Sequence, residues 1–344
     1  MIVQELIGAD ASWRDYVSRS PQASSCHVVE WRDVITKSFG HKSHYLIASE
    51  DAHVCGVLPL IEMRSALFGH FFVSLPFVNY GGILADTPAA ELALADAAVG
   101  LAKRQGASHI ELRQSLPPLG AMSGWTLRQH KAALVIQLTA DSKLIWDGLA
   151  SRLRGKVRKA EKNGAEFSVG GAEDLDDFYH LYALNMRDLG TPVYSRGFFD
   201  NVMRTFRHKA KILLVRIAGK PAAALIALRD GDHIETPWIC QDYSQSVFNS
   251  NEFLYWKTIE WACSRGATEL DLGRSSIDAG TYRFKMQWNP GVRGLHWYIW
   301  TPPGTPAPQL SPDNPKYALA VSCWKKLPLM VANFIGPSIV RSIP

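Results

Sequence analysis

A short apolar strand that ends in a polar, glycine-rich loop is the feature that most constrains the fold of this chain. Leu270 to Leu272 form the predicted strand, and the loop from Gly273 to Gly280 follows directly. Arg274 and Ser275 stand where the backbone leaves the sheet, which is where α/β proteins place ligand-binding groups. The sequence therefore predicts an α/β fold with a ligand site at the end of this strand.

Aromatic and cationic side chains alternate just after this loop. In the string Tyr282, Arg283, Phe284 and Lys285, an extended backbone would place both cations on one face. Two fixed cations beside hydroxyl groups are suited to an anionic or carbonyl-bearing ligand. We predict that Tyr282, Arg283 and the nearby Trp288 contact substrate.

Lys285, Asp271 and Tyr243 are the candidates for catalysis. For Lys285 the alternative is a surface lysine at the edge of a strand. Asp271 is suited to a general base or, equally, to a structural role. Tyr243 is suited to proton donation, although a buried tyrosine with a satisfied hydroxyl is the more common case. Arg274 is compatible with an anionic substrate or with a salt bridge to Asp271 or Asp278.

Other substrate-binding candidates stand in predicted loops or at the ends of predicted elements. Asn251 follows the loop from Gln241 to Ser250, where a helix N-cap is at least as good an interpretation as a ligand contact. We predict no metal site, since His41 and His44 have no Cys, Asp or Glu nearby to complete a ligand set. These additional candidates are Asn79, Tyr80, Asp188, Tyr194 and Asn251.

Positive charge is concentrated in one segment. The net charge is +5, and residues 151–164 alone hold six cations against one acid. We predict a basic helix over residues 142–164, with Arg154, Lys156 and Arg158 as candidates for binding an anionic donor. A plain solvated helix explains the charge equally well, and an RNA backbone is a further interpretation.

The order of predicted elements divides the chain into two α/β units. Strands joined by turns, then a helix, then a strand occur in residues 1–141 and again in residues 165–300, with residues 142–164 as a bridging helix. Residues 301–344 are a proline-rich linker and an amphipathic tail. The tail is compatible with a helix docked on the body or with a basic segment on the inner face of the membrane.

The sequence carries no pattern typical of export or of membrane spanning. Its first residues lack a basic start followed by an apolar run, and no stretch reaches ~18 continuous apolar residues. The five cysteines are scattered and form no CxxC pair, as is typical of reduced thiols. We therefore expect a cytoplasmic protein, with peripheral contact to the inner membrane face through the tail as an alternative.

Five segments together resemble the FemAB/FemX-like aminoacyltransferases, which belong to the superfamily of GNAT-fold acyltransferases. The string from Tyr282 to Lys285 is the most similar to the C-terminal signature of that family. The order and spacing of all five resemble a subgroup found beside exosortase (PEP-CTERM) exopolysaccharide loci. The segments are Leu75 to Gly82, Arg154 to Gly164, Asn185 to Tyr194, Asn251 to Trp256 and Tyr282 to Lys285.

The resemblance implies two tandem GNAT-like units with mixed central sheets. It implies a transferase that moves an acyl or aminoacyl group onto an amine, or less readily a hydroxyl, of a cell-envelope or exopolysaccharide precursor. It also places Lys285 in the acyl-donor channel, where the ammonium would stabilise an oxyanion or a phosphate of the donor. No tightly bound cofactor is implied, and the donor is a co-substrate: aminoacyl-tRNA, acyl-CoA or acyl carrier protein.

The chain lacks the pyrophosphate loop of GNAT acetyltransferases, Q/R-x-x-G-x-G/A. The segment from Arg152 ends in Val157, and the segment from Arg216 ends in Pro221, which removes a backbone donor. The missing loop argues against acyl-CoA as the donor. Two other functions stay open: a non-catalytic GNAT-fold module that binds a glycan or lipid precursor, and a basic RNA-binding protein.

Overall fold

The computed structural model describes residues 1–8, 10–65, 68–308 and 315–343, with side chains from residue 318 onward in the last range. Positions 309–314 of the predicted linker lie outside the described residues. The described residues fall into two compact units. The first comprises Met1–His130, Gly294–Ser311 and Arg341–Pro344, and the second comprises Lys131–Arg293 and Pro312–Val340.

Strands dominate the described residues up to His130. In chain order the elements are β1 (Ile2–Glu5), α1 (Ala11–Arg19), α2 (Glu30–Phe39), β2 (Lys42–Ser43), β3 (Leu46–Glu50), β4 (His53–Leu58), β5 (Ile61–Ser65), β6 (Gly69–Val73), β7 (Leu84–Ala85), α3 (Pro88–Gln105), β8 (Ile110–Gln114) and β9 (Trp125–Arg128).

Helices and strands alternate through the rest of the chain. In chain order they are β10 (Lys131–Gln137), α4 (Ser142–Gly148), α5 (Ser151–Lys162), β11 (Ala165–Gly170), α6 (Leu175–Leu189), α7 (Arg196–Thr205), β12 (Ala210–Ile217), β13 (Lys220–Asp230), β14 (His233–Gln241), α8 (Ser250–Ser264), β15 (Glu269–Ser276), α9 (Gly280–Met286), β16 (Gly291–Gly294), β17 (His296–Trp300), α10 (Pro315–Trp324) and α11 (Leu329–Val340).

In the first unit, α3 packs on the strands through an apolar face that includes Leu94 and Ala98. The Thr87 side chain caps the start of the helix by accepting a hydrogen bond from the Ala90 N–H, and Pro88 is the first helical residue. It ends at Gly106, whose φ of 66° is left-handed. The described strands form two sheets, ordered β1-β3-β4-β7 and β2-β5-β6-β8-β17-β9.

In the second unit, the central strands are nearly continuous apolar runs because helices cover both faces of the sheet. Leu213 and Val215 of β12 join the core formed with α5 and α8. Trp238 of β14 instead contacts Phe198 and Phe199 of α7, with ring centroids 5.4 Å apart in both pairs. The described strands form one sheet in the order β11-β12-β13-β14-β15-β10-β16.

Both units contain a mixed sheet, so the prediction of an α/β fold with mixed central sheets is confirmed. β6 and β8 run parallel in the first unit, and β14 and β15 run parallel in the second. The neighbouring pairs, such as β12 with β13, are antiparallel.

Two strands lie in a different unit from the one that their position in the chain suggests. β10 falls within residues 1–141, the predicted first unit, but pairs with β15 of the second. β17 falls within residues 165–300, the predicted second unit, but pairs with β8 and β9 of the first. The partners are far apart in the sequence, so the pairing depends on matching register and burial at a sheet edge, which local patterns do not reveal.

The prediction of one helix over residues 142–164 is wrong. α4 ends at Gly148, and Leu149 and Ala150 are extended before α5 begins. The break brings the Leu149 side chain into the core of the second unit, where it is buried. Burial of this leucine therefore outweighs the helical pattern of the segment.

The C-terminal helices belong mainly to the second unit, where α11 packs on α6. Ala332, Gly336 and Val340 form the buried side of α11, and Gly336 lies against Val193. Within the described residues, no helix has both the length and the apolar character needed to cross a membrane.

We expect Gly336→Ala to lower the free energy of unfolding by about 1–3 kcal/mol, because a Cβ there would come within 3.0 Å of both the backbone nitrogen and Cγ1 of Val193. Gly155→Ala is the matched control, since nothing lies within 4 Å of its Cβ position. That change should stabilise α5 by about 0.5–1 kcal/mol. Urea unfolding of both variants checks this, and equal effects would contradict the close packing of α11.

Candidate functional site

Two parallel strands of the second unit separate part-way along their length. β14 and β15 are paired from His233 with Glu269 to Glu235 with Asp271. Beyond this point β14 continues beside β13, while β15 pairs with β10. The described residues place no strand in the gap between them, so backbone groups that face it can bind a ligand as an added strand would.

Thr236 and Pro237 explain why the pairing stops. Pro237 has no N–H to donate, and it coincides with a shift in register between β13 and β14. The Thr236 hydroxyl donates to the carbonyl oxygen of Asp271 at 3.0 Å, next to the point where the ladder ends. Neither residue was among the sequence-predicted site residues, although a proline inside a predicted strand is a usable signal of such an irregularity.

Lys285 lies beside the part of β15 that has left β14. Its Nζ donates to the carbonyl oxygens of Gly273 at 3.1 Å and Arg274 at 3.2 Å. In a regular strand two consecutive carbonyls point to opposite sides. Gly273 has a left-handed φ of 75°, and the register of β15 against β10 shifts there, so both carbonyls reach one ammonium.

Burial sets the acidity of this ammonium. The Lys285 side chain is almost enclosed, with the residue 8% exposed. Loss of hydration lowers the pKa of Lys285 to about 8; the Asp271 carboxylate opposes that change, and the Arg274 guanidinium adds to it. A cation with a pKa near the working pH is suited to donate a hydrogen bond or a proton to an oxygen that gains negative charge.

Asp271 supports the backbone around this lysine. Its Oδ1 accepts a hydrogen bond from the Gly273 N–H at 2.7 Å, and the residue is buried. The carboxylate thus holds the left-handed turn that presents both carbonyls to Lys285. Its role as a general base stays a prediction.

The prediction of an extended segment from Tyr282 to Lys285 is wrong, because these residues lie in α9. On a helix, residues two apart are separated by about 200°, so Arg283 and Lys285 point in different directions. Arg283 is exposed and Lys285 is buried. The alternative of Lys285 as a surface lysine at a strand edge is therefore also wrong.

Trp288 belongs to the core beneath α9 rather than to an open groove. It is fully buried and stacks on Tyr255, with ring centroids 5.6 Å apart. Tyr255 also meets Phe284 edge-on at 5.1 Å, while Tyr282 is half-buried against the same core. Trp288 therefore supports the position of α9, contrary to its prediction as a substrate contact.

Three further predicted residues lie on β15 or just after the end of β14. Arg274 is half-buried, and Ser275 next to it is buried, with no hydrogen-bond partner for its hydroxyl among the described residues. Tyr243 begins a 3-10 turn just after β14 and is 42% exposed.

Asn251 is not the N-cap of α8, since the helix begins at Ser250 and the capping position is occupied by Asn249.

Asp188 and Tyr194 have their described partners near α6 and α7 rather than on β15. Asp188 accepts hydrogen bonds from the neighbouring Arg187 at 2.7 and 2.9 Å. Tyr194 stacks with Tyr182 and meets Phe198 edge-on. Their substrate contacts stay predictions.

Asn79 and Tyr80 belong to the first unit, in a buried loop that follows β6. There the parallel pair β6–β8 is extended by the loop itself, since the Ser74 N–H donates to the Glu111 carbonyl and the Arg113 N–H donates to the Ser74 hydroxyl. The loop thus occupies hydrogen-bonding groups of β8 that lie beyond the paired residues. In the second unit no such loop pairs with β15 among the described residues, and Lys285 binds the carbonyl oxygens of Gly273 and Arg274 there.

The three cations chosen as a donor site on α5 have partners within the second unit. Lys156 binds Glu252 at 2.8 Å, Arg154 lies 3.9 Å from Asp147, and the Arg158 guanidinium lies 5.5 Å from the centre of the Trp146 ring. Arg158 and Trp146 also line an open cavity of about 300 Å³ between α4, α5 and α8. The exposed cations with no described partner on this helix are Arg152, Lys159 and Lys162.

Among the described residues, no cluster of His, Cys, Asp and Glu could hold a metal ion.

The segment that carries this site matches a known family. Residues 149–286 match the family model of the acetyltransferase (GNAT) domain. The match includes β14, α8, β15 and α9, and therefore Lys285. No match was found among curated proteins.

Solved structures resemble the chain over most of its length. FemX is 14% identical with a TM-score of 0.69, over 93% of this chain and 100% of FemX. A tandem GNAT protein from the clavulanic acid biosynthesis pathway is 12% identical with a TM-score of 0.55, over 86% and 97% of the two chains. The C-terminal DUF2156 domain of a protein assigned as a lysylphosphatidylglycerol synthetase from Agrobacterium fabrum is 13% identical with a TM-score of 0.58, over 84% and 90%.

These identities establish the fold alone. The prediction of tandem GNAT-like units is confirmed by the tandem GNAT protein and by FemX. The subgroup associated with exosortase loci stays a prediction.

We expect the stability of the wild type relative to Lys285→Met to rise with pH between about 8 and 10.5. In that window the unfolded chain binds the proton that the folded chain has released, so raising the pH favours folding. The gain is at most about 3 kcal/mol, from about 1.36 kcal/mol for each unit of pKa. Urea unfolding across this range measures it, with Lys159→Met as the control for loss of an exposed cation. A difference that does not change with pH for Lys285→Met would contradict the lowered pKa.

Proposed function

We propose that the chain transfers an acyl or aminoacyl group to an amine, or less readily to a hydroxyl, of a cell-envelope or exopolysaccharide precursor. The observation that carries the proposal is the buried Lys285 ammonium beside the gap between β14 and β15. The match to the acetyltransferase (GNAT) domain covers both strands and the lysine, which supports a transferase.

The proposed reaction is direct attack of the acceptor nitrogen on the carbonyl carbon of an ester or thioester. The new C–N bond forms, the carbonyl oxygen gains negative charge, and the C–O or C–S bond to the leaving group then breaks. Lys285 would stabilise the oxyanion or give a proton to the departing oxygen, and backbone groups facing the gap would hold the donor. The attacking nitrogen would lose its proton to a base, for which Asp271 is our candidate, and Tyr243 is the alternative to Lys285 as the proton donor to the leaving group. No covalent intermediate with the protein is needed.

The start of α8 disfavours acyl-CoA as the donor. Helix N-termini bind phosphate through free N–H groups and a positive dipole end. Here Glu252 places a carboxylate in the first turn of α8, and that carboxylate already pairs with Lys156. The two segments that partly match the pyrophosphate loop lie elsewhere, one inside α5 and the other at the turn between β12 and β13, where Ala218 and Gly219 are left-handed.

We therefore favour aminoacyl-tRNA as the donor, with acyl carrier protein as the alternative. The exposed cations Arg152, Lys159 and Lys162 of α5 are suited to a nucleic-acid backbone. Resemblance to the FemAB/FemX-like enzymes supports the same donor and the envelope acceptor. The similarity to a lysylphosphatidylglycerol synthetase, a protein named for a lipid that carries a lysyl group, is consistent with an aminoacyl donor.

A panel of donors tests the proposal by mass spectrometry and thermal unfolding. Acetyl-CoA, longer acyl-CoAs, acylated carrier protein and charged tRNA are each mixed with the wild type and with Lys285→Met. We expect charged tRNA to stabilise the wild type by about 2.7 kcal/mol at 100 times its Kd. Transfer to an amine acceptor should fall by about 100-fold or more in Lys285→Met, because the oxyanion loses its cation.

Three outcomes separate this proposal from its alternatives. Transfer from acyl-CoA and none from charged tRNA would change the donor and keep the reaction. Binding of RNA that Lys285→Met leaves unchanged and that charge reversal at Lys159 and Lys162 abolishes, without turnover, would favour an RNA-binding protein. Stabilisation by an envelope glycan or lipid precursor without any transfer would favour a binding module.

A further inference from the structure

The residues from 315 onward carry charge of a single sign. Residues 315–344 contain four cations and no Asp or Glu, whereas the whole chain has 37 cations and 32 acids. Lys325 and Lys326 are exposed in the turn between α10 and α11. No acid of this segment is therefore present to neutralise them.

α11 has two opposite sides. Ala332, Gly336 and Val340 recur every four residues and are buried. Met330 and Phe334 are each 85% exposed, and each stands two residues from a buried one, about 200° around the helix. Because Gly336 packs closely on Val193, the buried side is held in place and the other side is presented to solvent.

We infer that the exposed residues Leu319, Lys325, Lys326, Met330 and Phe334 of the tail bind the face of an anionic lipid bilayer. Leu319 of α10 is 76% exposed, so both tail helices present large apolar side chains. Such side chains insert at the boundary between headgroups and acyl chains, while lysines close by pair with anionic headgroups. The exposed lysines of a segment that contains no acid are complementary in charge to an anionic bilayer.

The tail lies on the bilayer and does not cross it. α11 has 12 residues, whereas spanning requires about 20. The surface is already folded against the second unit, so binding does not require a disordered segment to fold. The inference does not rest on the proposed transferase reaction, because lipid binding needs neither donor nor turnover.

Co-sedimentation of the full chain with vesicles tests the inference. One set contains phosphatidylcholine alone, and the other contains phosphatidylcholine mixed with phosphatidylglycerol. We expect the wild type to bind the anionic vesicles about tenfold more tightly or better, and to lose that preference as salt is raised. Absence of binding to anionic vesicles at low salt would overturn the inference in favour of a protein partner.

Variants locate the binding surface. Met330→Glu combined with Phe334→Glu should weaken binding by about tenfold or more, and Lys325→Glu combined with Lys326→Glu should remove the preference for anionic vesicles. Leu144→Glu is the matched control, since Leu144 is an equally apolar residue that is 65% exposed on α4 and should bind as the wild type does. Thermal unfolding checks that each variant is folded. Equal binding by the Met330/Phe334 variant and the Leu144 control would overturn the inference.

Discussion

The separation of β14 from β15 is the constraint on which the candidate site depends. Pro237 cannot donate a hydrogen bond, so β14 cannot extend a regular ladder through this position, and Thr236 satisfies the carbonyl of Asp271 instead. β15 bends at Gly273, where the Asp271 carboxylate holds the left-handed turn. The two carbonyls exposed by this bend then make it possible to bury Lys285, because a buried ammonium without acceptors would be very costly.

The two units use the same strand arrangement differently. Each contains a parallel pair flanked by antiparallel strands. In the first unit, a buried loop takes up hydrogen-bonding groups beyond the pair, and two of its residues, Leu75 and Phe77, adopt left-handed backbone conformations to do so. In the second unit, a lysine on a short helix takes that place. This difference is the physical reason for placing the proposed reaction in the second unit.

Local charge in the sequence was a poor guide to free charge on the surface. Residues 151–164 hold six cations against one acid, which equals the net charge of +5 of the whole chain. In the folded chain, however, Lys156 and Arg154 face Glu252 and Asp147, and Arg158 lies over Trp146. The exposed cations of α5 without described partners are Arg152, Lys159 and Lys162, none of which was predicted as a binding residue. The tail differs in that residues 315–344 contain no acid at all, and its Lys325 and Lys326 are exposed in the folded chain.

The sequence by itself determined the α/β class, the GNAT-like resemblance and the choice of Lys285 as a candidate, because apolar periodicity and short motifs are local properties. Tertiary structure alone decided that Lys285 is buried on a helix and that Trp288 belongs to the core. It also decided that β10 joins the sheet of the second unit and β17 a sheet of the first. Each of these depends on which distant strand or helix covers a given residue. Burial and strand register are properties of the assembled fold, so no local pattern specifies them.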